Sequence, residues 1–508
     1  MTVPRLAASA GADPTAASPA ARTEAPGADG RPRAALESLG CRLNHAETEL
    51  IRRRLERAGF RIVPWGEAAE VMVLNSCTVT AQADATSRQA LRSARRAQPG
   101  ARLAVVGCHA QLHAGALAEA GLADLIVGNG DKLSVVEHLL ALPAREAAGP
   151  GRGVALRVGL PEFFPPHVAP PHVVPPHVVL PALPRIPFAL DFDPGALVSA
   201  DSGTRAHLKI QDGCDFMCSF CIIPRARGRA RPRALDNLLA EAEALAAQGV
   251  REIVLTGVNL GTYAAGAAGA ANSDETLDLR AVVDRLDRLP GLARIRIGSI
   301  EPTTVPEGLL ERMAAPDHKL VPFLHLPLQS GSDAVLAAMR RRYTAGEYAA
   351  FAERALARVP DLCLGADVMA GFPGEDDAAF AETVGLLERL ACAYLHVFPY
   401  SERPGTPAAR LPAAVPAALR QRRAAVLRAL GDAKRLAFHR RFLGRSVAVL
   451  FEKPRRDGLA EGYTAHFVRV QAPADDAAAL RNRLLPVRLL EAGPHAVAGE
   501  LLAPVSSG

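Results

Sequence analysis

Three cysteines, Cys214, Cys218 and Cys221, are separated by three and then two residues in "DGCDFMCSFCIIPRARGRARPR" (212–233). Three thiolates on one short loop can hold three irons of a cubane 4Fe–4S cluster and leave the fourth iron without a protein ligand. An incomplete ligand set is what a reactive metal site needs, because substrate can enter it. Zinc is the competing occupant and would need a fourth ligand such as His207. Five arginines follow at every second position: Arg225, Arg227, Arg229, Arg231 and Arg233. Alternation would set them along one edge of an extended segment. With no acidic residue between them and a metal loop beside them, they are expected to be functional, a positive strip suited to a polyanion rather than a solvated face.

Three more cysteines stand apart in sequence but in matching contexts. Cys41 ends "ALESLGC", Cys77 ends "VMVLNSC" and Cys108 ends "LAVVGC". Each closes an apolar run that reads as a strand and precedes polar residues and a helix or turn. In an open parallel sheet the C-terminal strand ends lie along one edge, where ligands bind. The three cysteines therefore converge on one crevice and form a second candidate metal site. The remaining pair, Cys363 and Cys392, lies in apolar surroundings and is assigned to the core.

These residues need elements to position them, and the chain alternates short apolar runs with helical patterns in two stretches. Residues 1–33 are low-complexity and expected to be disordered. Residues 34–140 read as an α/β domain built on an open parallel sheet. A Pro/His-rich linker over 141–203 carries the repeat "PPHVA PPHVV PPHVV" and is read as a stiff spacer. Residues 204–442 supply six strands separated by helices, a (β/α)6 partial barrel, and end in a basic helix. The first of those strands precedes the Cys214–Cys221 loop, which puts the loop at the barrel face where active sites sit. From 443 to 508, short strands split by Gly and Pro suggest a small β-barrel.

At 508 residues, a multidomain protein is expected, and the net charge of +6 suits a polyanionic partner. Only 5% of residues are aromatic, which excludes an extensive base-stacking surface. Eight cysteines are too few for a disulfide scaffold of this size. No signal-peptide pattern and no run long enough for a membrane span is read, so a cytoplasmic protein without a membrane partner is expected.

The spacing Cys-x3-Cys-x2-Cys, with Phe220 before the last cysteine, resembles the radical S-adenosylmethionine (SAM) loop. The upstream "GCRLNHAETE", "NSCTVT" and "VVGCHAQ" are similar to the N-terminal domain of methylthiotransferases. So, in order, are "LTGVNLG", "SIEP", "HLPLQSGSDAVLAAMRRRYT", "DVMAGFPGE" and "HVFPYSERPGTPA" further on. "GYTAHFVRV" resembles part of the family's terminal TRAM domain, an RNA-binding β-barrel. Within the family, "IPRARGRARPR" is most similar to the threonylcarbamoyladenosine type, although Arg225 stands where an aromatic is common.

The resemblance implies a tRNA methylthiotransferase with two 4Fe–4S clusters, one on Cys214, Cys218 and Cys221 and one on Cys41, Cys77 and Cys108. It implies SAM as radical source and methyl donor, with the 5′-deoxyadenosyl radical acting on carbon 2 of N6-threonylcarbamoyladenosine next to the anticodon. Gly257, Asn259 and Gln329, at strand ends on the barrel mouth, are expected SAM contacts, and Phe220 is expected against its adenine. Partners would be a tRNA anticodon stem-loop, whose phosphates and unpaired bases Arg225, Arg227, Arg229, Arg231 and Arg233 would contact, an electron donor and a sulfur source. The alternatives are isopentenyladenosine or a ribosomal-protein aspartate as substrate, or a non-catalytic iron–sulfur carrier.

Overall fold

The computed structural model describes residues 30–142, 155–157, 204–266, 276–452, 454–455 and 457–502. The Pro/His repeat and the low-complexity start lie outside the described residues.

The first domain is a six-stranded parallel sheet of β1 (Arg33–Ser38), β2 (Arg61–Val63), β3 (Val71–Ser76), β4 (Arg102–Gly107), β5 (Leu125–Val127) and β6 (Ala155–Arg157), in the order β2-β1-β3-β4-β5-β6. The strands are covered on both sides, and alternate residues divide between two cores as a period of two requires. Val71, Val73, Ala104 and Val106 meet Ile51 and Leu55 of α1 (Arg42–Arg57) and Val135, Val136 and Leu139 of α4 (Val135–Ala141). Met72, Leu74, Leu103 and Val105 meet Leu91 and Ala94 of α2 (Ala81–Ala97) and Ala110 and Leu117 of α3 (Cys108–Glu119). Strand β6 falls inside the stretch read from sequence as linker. Three residues carry too little pattern to be recognised as a strand, yet they pair with β5 and extend the sheet.

The second domain has six parallel strands. β7 (Arg205–Lys209), β10 (Glu252–Thr256) and β13 (Arg294–Ile297) form one group, ordered β13-β10-β7. β14 (Phe323–Gln329), β15 (Cys363–Ala370) and β16 (Tyr394–Pro399) form the other. Parallel bridges Ile295–Leu320 and Ser299–His325 join them into one arc. α6 (Leu235–Ala247), α7 (Leu279–Asp287), α8 (Leu309–Ala314), α10 (Ala345–Arg358) and α11 (Asp377–Arg389) alternate with the strands, and their buried leucines and alanines pack on the arc in one core. α9 (Asp333–Ala338) follows β14, and the short ribbon of β11 (Ala265–Gly266) and β12 (Thr276–Leu277) follows β10. All six strands expected from sequence are present.

α12 (Ala417–Arg440) closes the arc against β16, where Gly431 lets it approach Leu395. Its basic residues are partly structural. Arg423 is buried against Glu375 (2.9 Å) and Asp377 (2.6 Å), and Lys434 Nζ donates to the carbonyl of Leu390 at 2.8 Å.

β17 (Ser446–Phe451), β18 (Leu459–Thr464), β19 (Arg469–Pro473), β20 (Leu484–Ala492) and β21 (Val497–Leu501) form a closed barrel, ordered β17-β18-β19-β21-β20. It docks on the N-terminal ends of the arc's strands. Phe323 meets Phe467 edge-on, and Arg294 donates to the carbonyls of Tyr463 and Ala448, both at 2.8 Å. The far end of the arc is left to the first domain.

Candidate functional site

The order β2-β1-β3 reverses chain direction across the sheet between β1 and β3, which makes the crevice there the place where an open α/β sheet binds ligands. Cys41 caps α1 after β1, Cys77 follows β3 directly, and Cys108 opens α3 after β4. β1, β3 and β4 are neighbours, so three residues scattered in sequence share one sheet edge. Gly40 (φ 95°) turns the chain before Cys41 so closely that an added Cβ would lie 2.5 Å from Cys77 Sγ. Burial pushes the Cys77 thiol up to about 11, against the opposing charge of the nearby Arg227, while Cys41 is exposed at the same sheet edge. Asn129 Nδ2 lies 3.7 Å from Cys108 Sγ and donates to the carbonyl of Ala226 at 2.7 Å, tying this site to the second domain.

Cys214, Cys218 and Cys221 occupy a loop pinched at its base by β8 (Gln211–Asp212) and β9 (Arg231–Pro232). Gly213 (φ 71°) permits the closure, since a Cβ there would meet the Arg229 carbonyl oxygen at 1.8 Å. Cys214 N donates to the Gly228 carbonyl at 3.1 Å, and Gln211 Nε2 to the Gly213 carbonyl at 2.8 Å. The Oε1 of the same Gln211 accepts from Val258 N at 2.9 Å, which fixes the loop to the end of β10. Ser219 Oγ donates to the Ala338 carbonyl at 2.7 Å, pinning the middle of the loop to α9. Burial raises all three thiols, Cys214 to about 11, so metal binding must displace their protons. Arg341 supplies the compensating charge: its Nη1 donates to Cys218 Sγ at 3.3 Å, and its Nη2 pairs with Glu301. From sequence, Glu301 and Arg341 have no assignable role; only the fold brings "SIEP" and "MRRRYT" to one sulfur.

A cavity of about 490 Å³ lies where the two domains meet. Cys41 and Arg42 line one wall together with Val79, two residues past Cys77. Ile223, two residues past Cys221, lines it from the second domain, as do Gly257, Ser299, His325, Asp367 and His396. Asp367 Oδ1 accepts from His325 Nε2 at 2.9 Å and His396 Nδ1 at 3.3 Å. The expected contacts fall at this end of the arc. Gly257 lines the cavity directly. Asn259 is 3% exposed, and its Nδ2 has no partner among the described residues. Gln329 follows a bulge in β14, adopts a φ of 70° and leaves a buried Oε1 equally without a partner. Phe220 packs edge-on against Phe372 with ring centroids 6.5 Å apart.

Two orphaned polar atoms beside a three-thiol loop fit a polar cofactor that donates and accepts hydrogen bonds, and the thiol set fits a cluster with one open iron. Among the described residues, the side chains whose ligand atoms group within 4.8 Å are Asp84, His109 and His113, and His325, Asp367 and His396; neither group includes His207 or a cysteine. Cys363 and Cys392 are buried in the core, 2% and 3% exposed.

The arginine run does not form the expected edge. With Pro224 in its first turn and Gly228 just past its end, a five-residue helix, α5 (Ile223–Arg227), interrupts the run, so alternation no longer puts the side chains on one side. Arg227 and Arg233 are each 1% exposed and unavailable to RNA. Arg227 pairs with Glu47 (2.9 Å), Asp212 (3.0 Å) and Asn44 Oδ1 (2.7 Å), and Arg233 with Glu241 (2.6 Å). Glu47 also receives Lys132 (2.6 Å) and Lys209 (2.7 Å), so three cations surround two carboxylates at the domain interface. Burial pushes Glu47 up, but Arg227, Lys132 and Lys209 outweigh it and hold the carboxyl well below the usual range. The surplus positive charge stands beside the thiols. Arg229 is exposed and paired with Asp215 at 2.7 Å, while Arg225 and Arg231 are half-buried.

Residues 33–128 match the "Uncharacterized protein family UPF0004", and 208–387 match the "Radical SAM superfamily". The chain is 32% identical to the "Threonylcarbamoyladenosine tRNA methylthiotransferase MtaB" of Aquifex aeolicus over 83% of this chain and 93% of that protein. It is 32% identical to the protein of the same name from Bacillus subtilis over 90% and 94%. It is also 30% identical to a "tRNA-2-methylthio-N(6)-dimethylallyladenosine synthase" of Maricaulis maris over 93% and 97%. Among solved structures, the radical SAM methyltransferase TsrM of Kitasatospora setae aligns with a TM-score of 0.47 and 17% identity, covering 75% of this chain and 77% of that one.

Proposed function

The chain belongs to the radical SAM tRNA methylthiotransferases of the MtaB type, and on that basis we propose that it places a methylthio group on carbon 2 of N6-threonylcarbamoyladenosine beside the anticodon, with two 4Fe–4S clusters. The observation that carries the proposal is one cavity bordered from two domains, by Cys41 on one side and on the other by Ile223, two residues past the last cysteine of the Cys214–Cys221 loop. Cys214, Cys218 and Cys221 would hold the cluster that binds SAM, and Cys41, Cys77 and Cys108 the second. When bound, these groups supply the one-electron chemistry that replaces an unactivated C–H bond with a C–S bond.

The chain's own residues do the rest. Gln211 and Ser219 fix the reactive loop, and Arg341 steadies Cys218 with a charge-assisted hydrogen bond. Asn259 Nδ2 and Gln329 Oε1 offer SAM one donor and one acceptor. The interface of Arg227, Lys209, Glu47 and Asp212 holds the two domains at fixed separation, so base, radical source and sulfur source stay in register. Arg225, Arg229 and Arg231 remain the candidate RNA contacts of the run.

Mass analysis of tRNA nucleosides after reaction with the reconstituted enzyme tests the assignment. A mass increase on threonylcarbamoyladenosine supports it. Product only on isopentenyladenosine, the substrate type in the Maricaulis relative's name, would replace it.

A further inference from the structure

Arg42 lines the cavity next to Cys41, yet within the described residues it makes no hydrogen bond or ion pair. The charged groups around it are already engaged. Arg205 pairs with Glu452 at 2.6 Å, and Arg296 with Glu252 at 2.7 Å. Asp367, the acid of the facing wall, accepts from both His325 and His396. Arg42 also begins the 16-residue α1, whose first turn has no acidic side chain, so the positive helix end adds to its charge. A half-buried guanidinium with no ion-pair partner among the described residues, lining a cavity beside a positive helix end and with its nearest acid, Asp367, already shared by two histidines, is suited to receive an anion. Arginine favours planar carboxylates, which it holds through two parallel hydrogen bonds.

Carbon 2 and the N6 substituent flank N1 on one edge of adenine. A base offering carbon 2 toward Cys41 therefore carries its N6 group along the wall that Arg42 occupies. We propose that Arg42 is the carboxylate-binding subsite for the substrate base, pairing with the threonine carboxylate of the N6 substituent. This rests on the function proposed above. It makes Arg42 a specificity determinant, because an isopentenyl group has no charge to offer. An RNA phosphate and the carboxylate of SAM are the other anions that could reach it.

The test is fluorescence anisotropy of the reconstituted holoenzyme with three anticodon stem-loops of one sequence, bearing threonylcarbamoyladenosine, isopentenyladenosine or plain adenosine. No reductant is present, so binding is read without turnover. For Arg42→Met, the preference for the threonylcarbamoyl stem-loop over the plain one falls about tenfold, with affinity for the plain one nearly unchanged. Arg42→Lys keeps part of the preference. The ratio cancels any general loss of folded protein. Equal weakening for all stem-loops would make Arg42 a phosphate contact and overturn the proposal. An unchanged ratio with weaker SAM binding or lower iron content would assign it to the cofactors and overturn the proposal equally. The wild-type nucleoside product decides the parent reading separately: threonylcarbamoyl product with an unchanged Arg42→Met ratio sinks only the subsite. A wild type without the preference sinks it too.

Discussion

Cys214, Cys218 and Cys221 lie on one loop whose shape is set locally, by Gly213 at its base and hydrogen bonds from Gln211 and Ser219. Cys41, Cys77 and Cys108 come from three strands and meet only because β1, β3 and β4 are neighbours in a parallel sheet. The charges beside them differ in the same way. Arg341 serves the loop from within its own domain, whereas Arg227 reaches the strand-end thiols from the other domain. The loop triplet is a motif supported by a fold; the strand-end triplet is a product of topology and of a domain interface.

Removing each set in turn gives the largest expected effect. Reconstituted wild type should hold about eight irons as two 4Fe–4S clusters, and either triple Cys→Ala variant about four, with methylthiolation lost in both. Iron and sulfide analysis checks this; about four irons in wild type, undiminished without Cys41, Cys77 and Cys108, would make the strand-end cysteines structural.

Arg227→Met should separate the two sites by damaging the interface. It leaves Glu47 and Asp212 short of a buried partner, at a cost of about 3–5 kcal/mol, and lowers the thermal midpoint. Because Glu47 and Asp212 are held below the ordinary carboxylate range, their contribution is present above the unfolded-state pKa and lost as pH falls through the folded one. Acid unfolding should therefore move to higher pH in the variant. An unchanged acid midpoint would show that the network does not hold the domains.

Arg341→Met should act on the loop cluster alone. Losing a charged donor to a ligand sulfur, worth about 1.5–3 kcal/mol, makes reduction harder by at most roughly 65–130 mV, since only the difference in the bond between the two redox states counts. Redox titration by electron paramagnetic resonance reads it. A shift in both clusters would mean that the sites are not independently supported.

The smallest effect sharpens the contrast within the arginine run. Arg229→Ala should weaken all tRNA stem-loops alike and lower the salt slope of binding by about one unit, with stability unchanged. Arg233→Ala should instead destabilise the fold. Anisotropy across a salt series, alongside thermal melts, separates the two.

Much of this was legible before folding was considered. The six arc strands, both cysteine sets and the terminal barrel follow from apolar periodicity and spacing, because such patterns act over a few residues. The arginine run misled because its alternation is also local. A proline and a glycine turned part of it into a helix, and Glu47 and Glu241, distant in sequence, drew Arg227 and Arg233 inside. Strand β6 was missed because three residues carry no period.

Residue pattern was enough to specify the loop of Cys214, Cys218 and Cys221, the elements that carry it and the sheet that gathers the other cysteines, since these rest on local geometry and burial. Long-range packing was needed to settle which arginines are buried, that Glu301 and Arg341 support Cys218, and that Arg42 faces the cavity without a partner among the described residues. Those outcomes depend on which charges meet across long stretches of chain. In a low-dielectric interior the nearest counter-charge, rather than sequence position, decides what a charged side chain does.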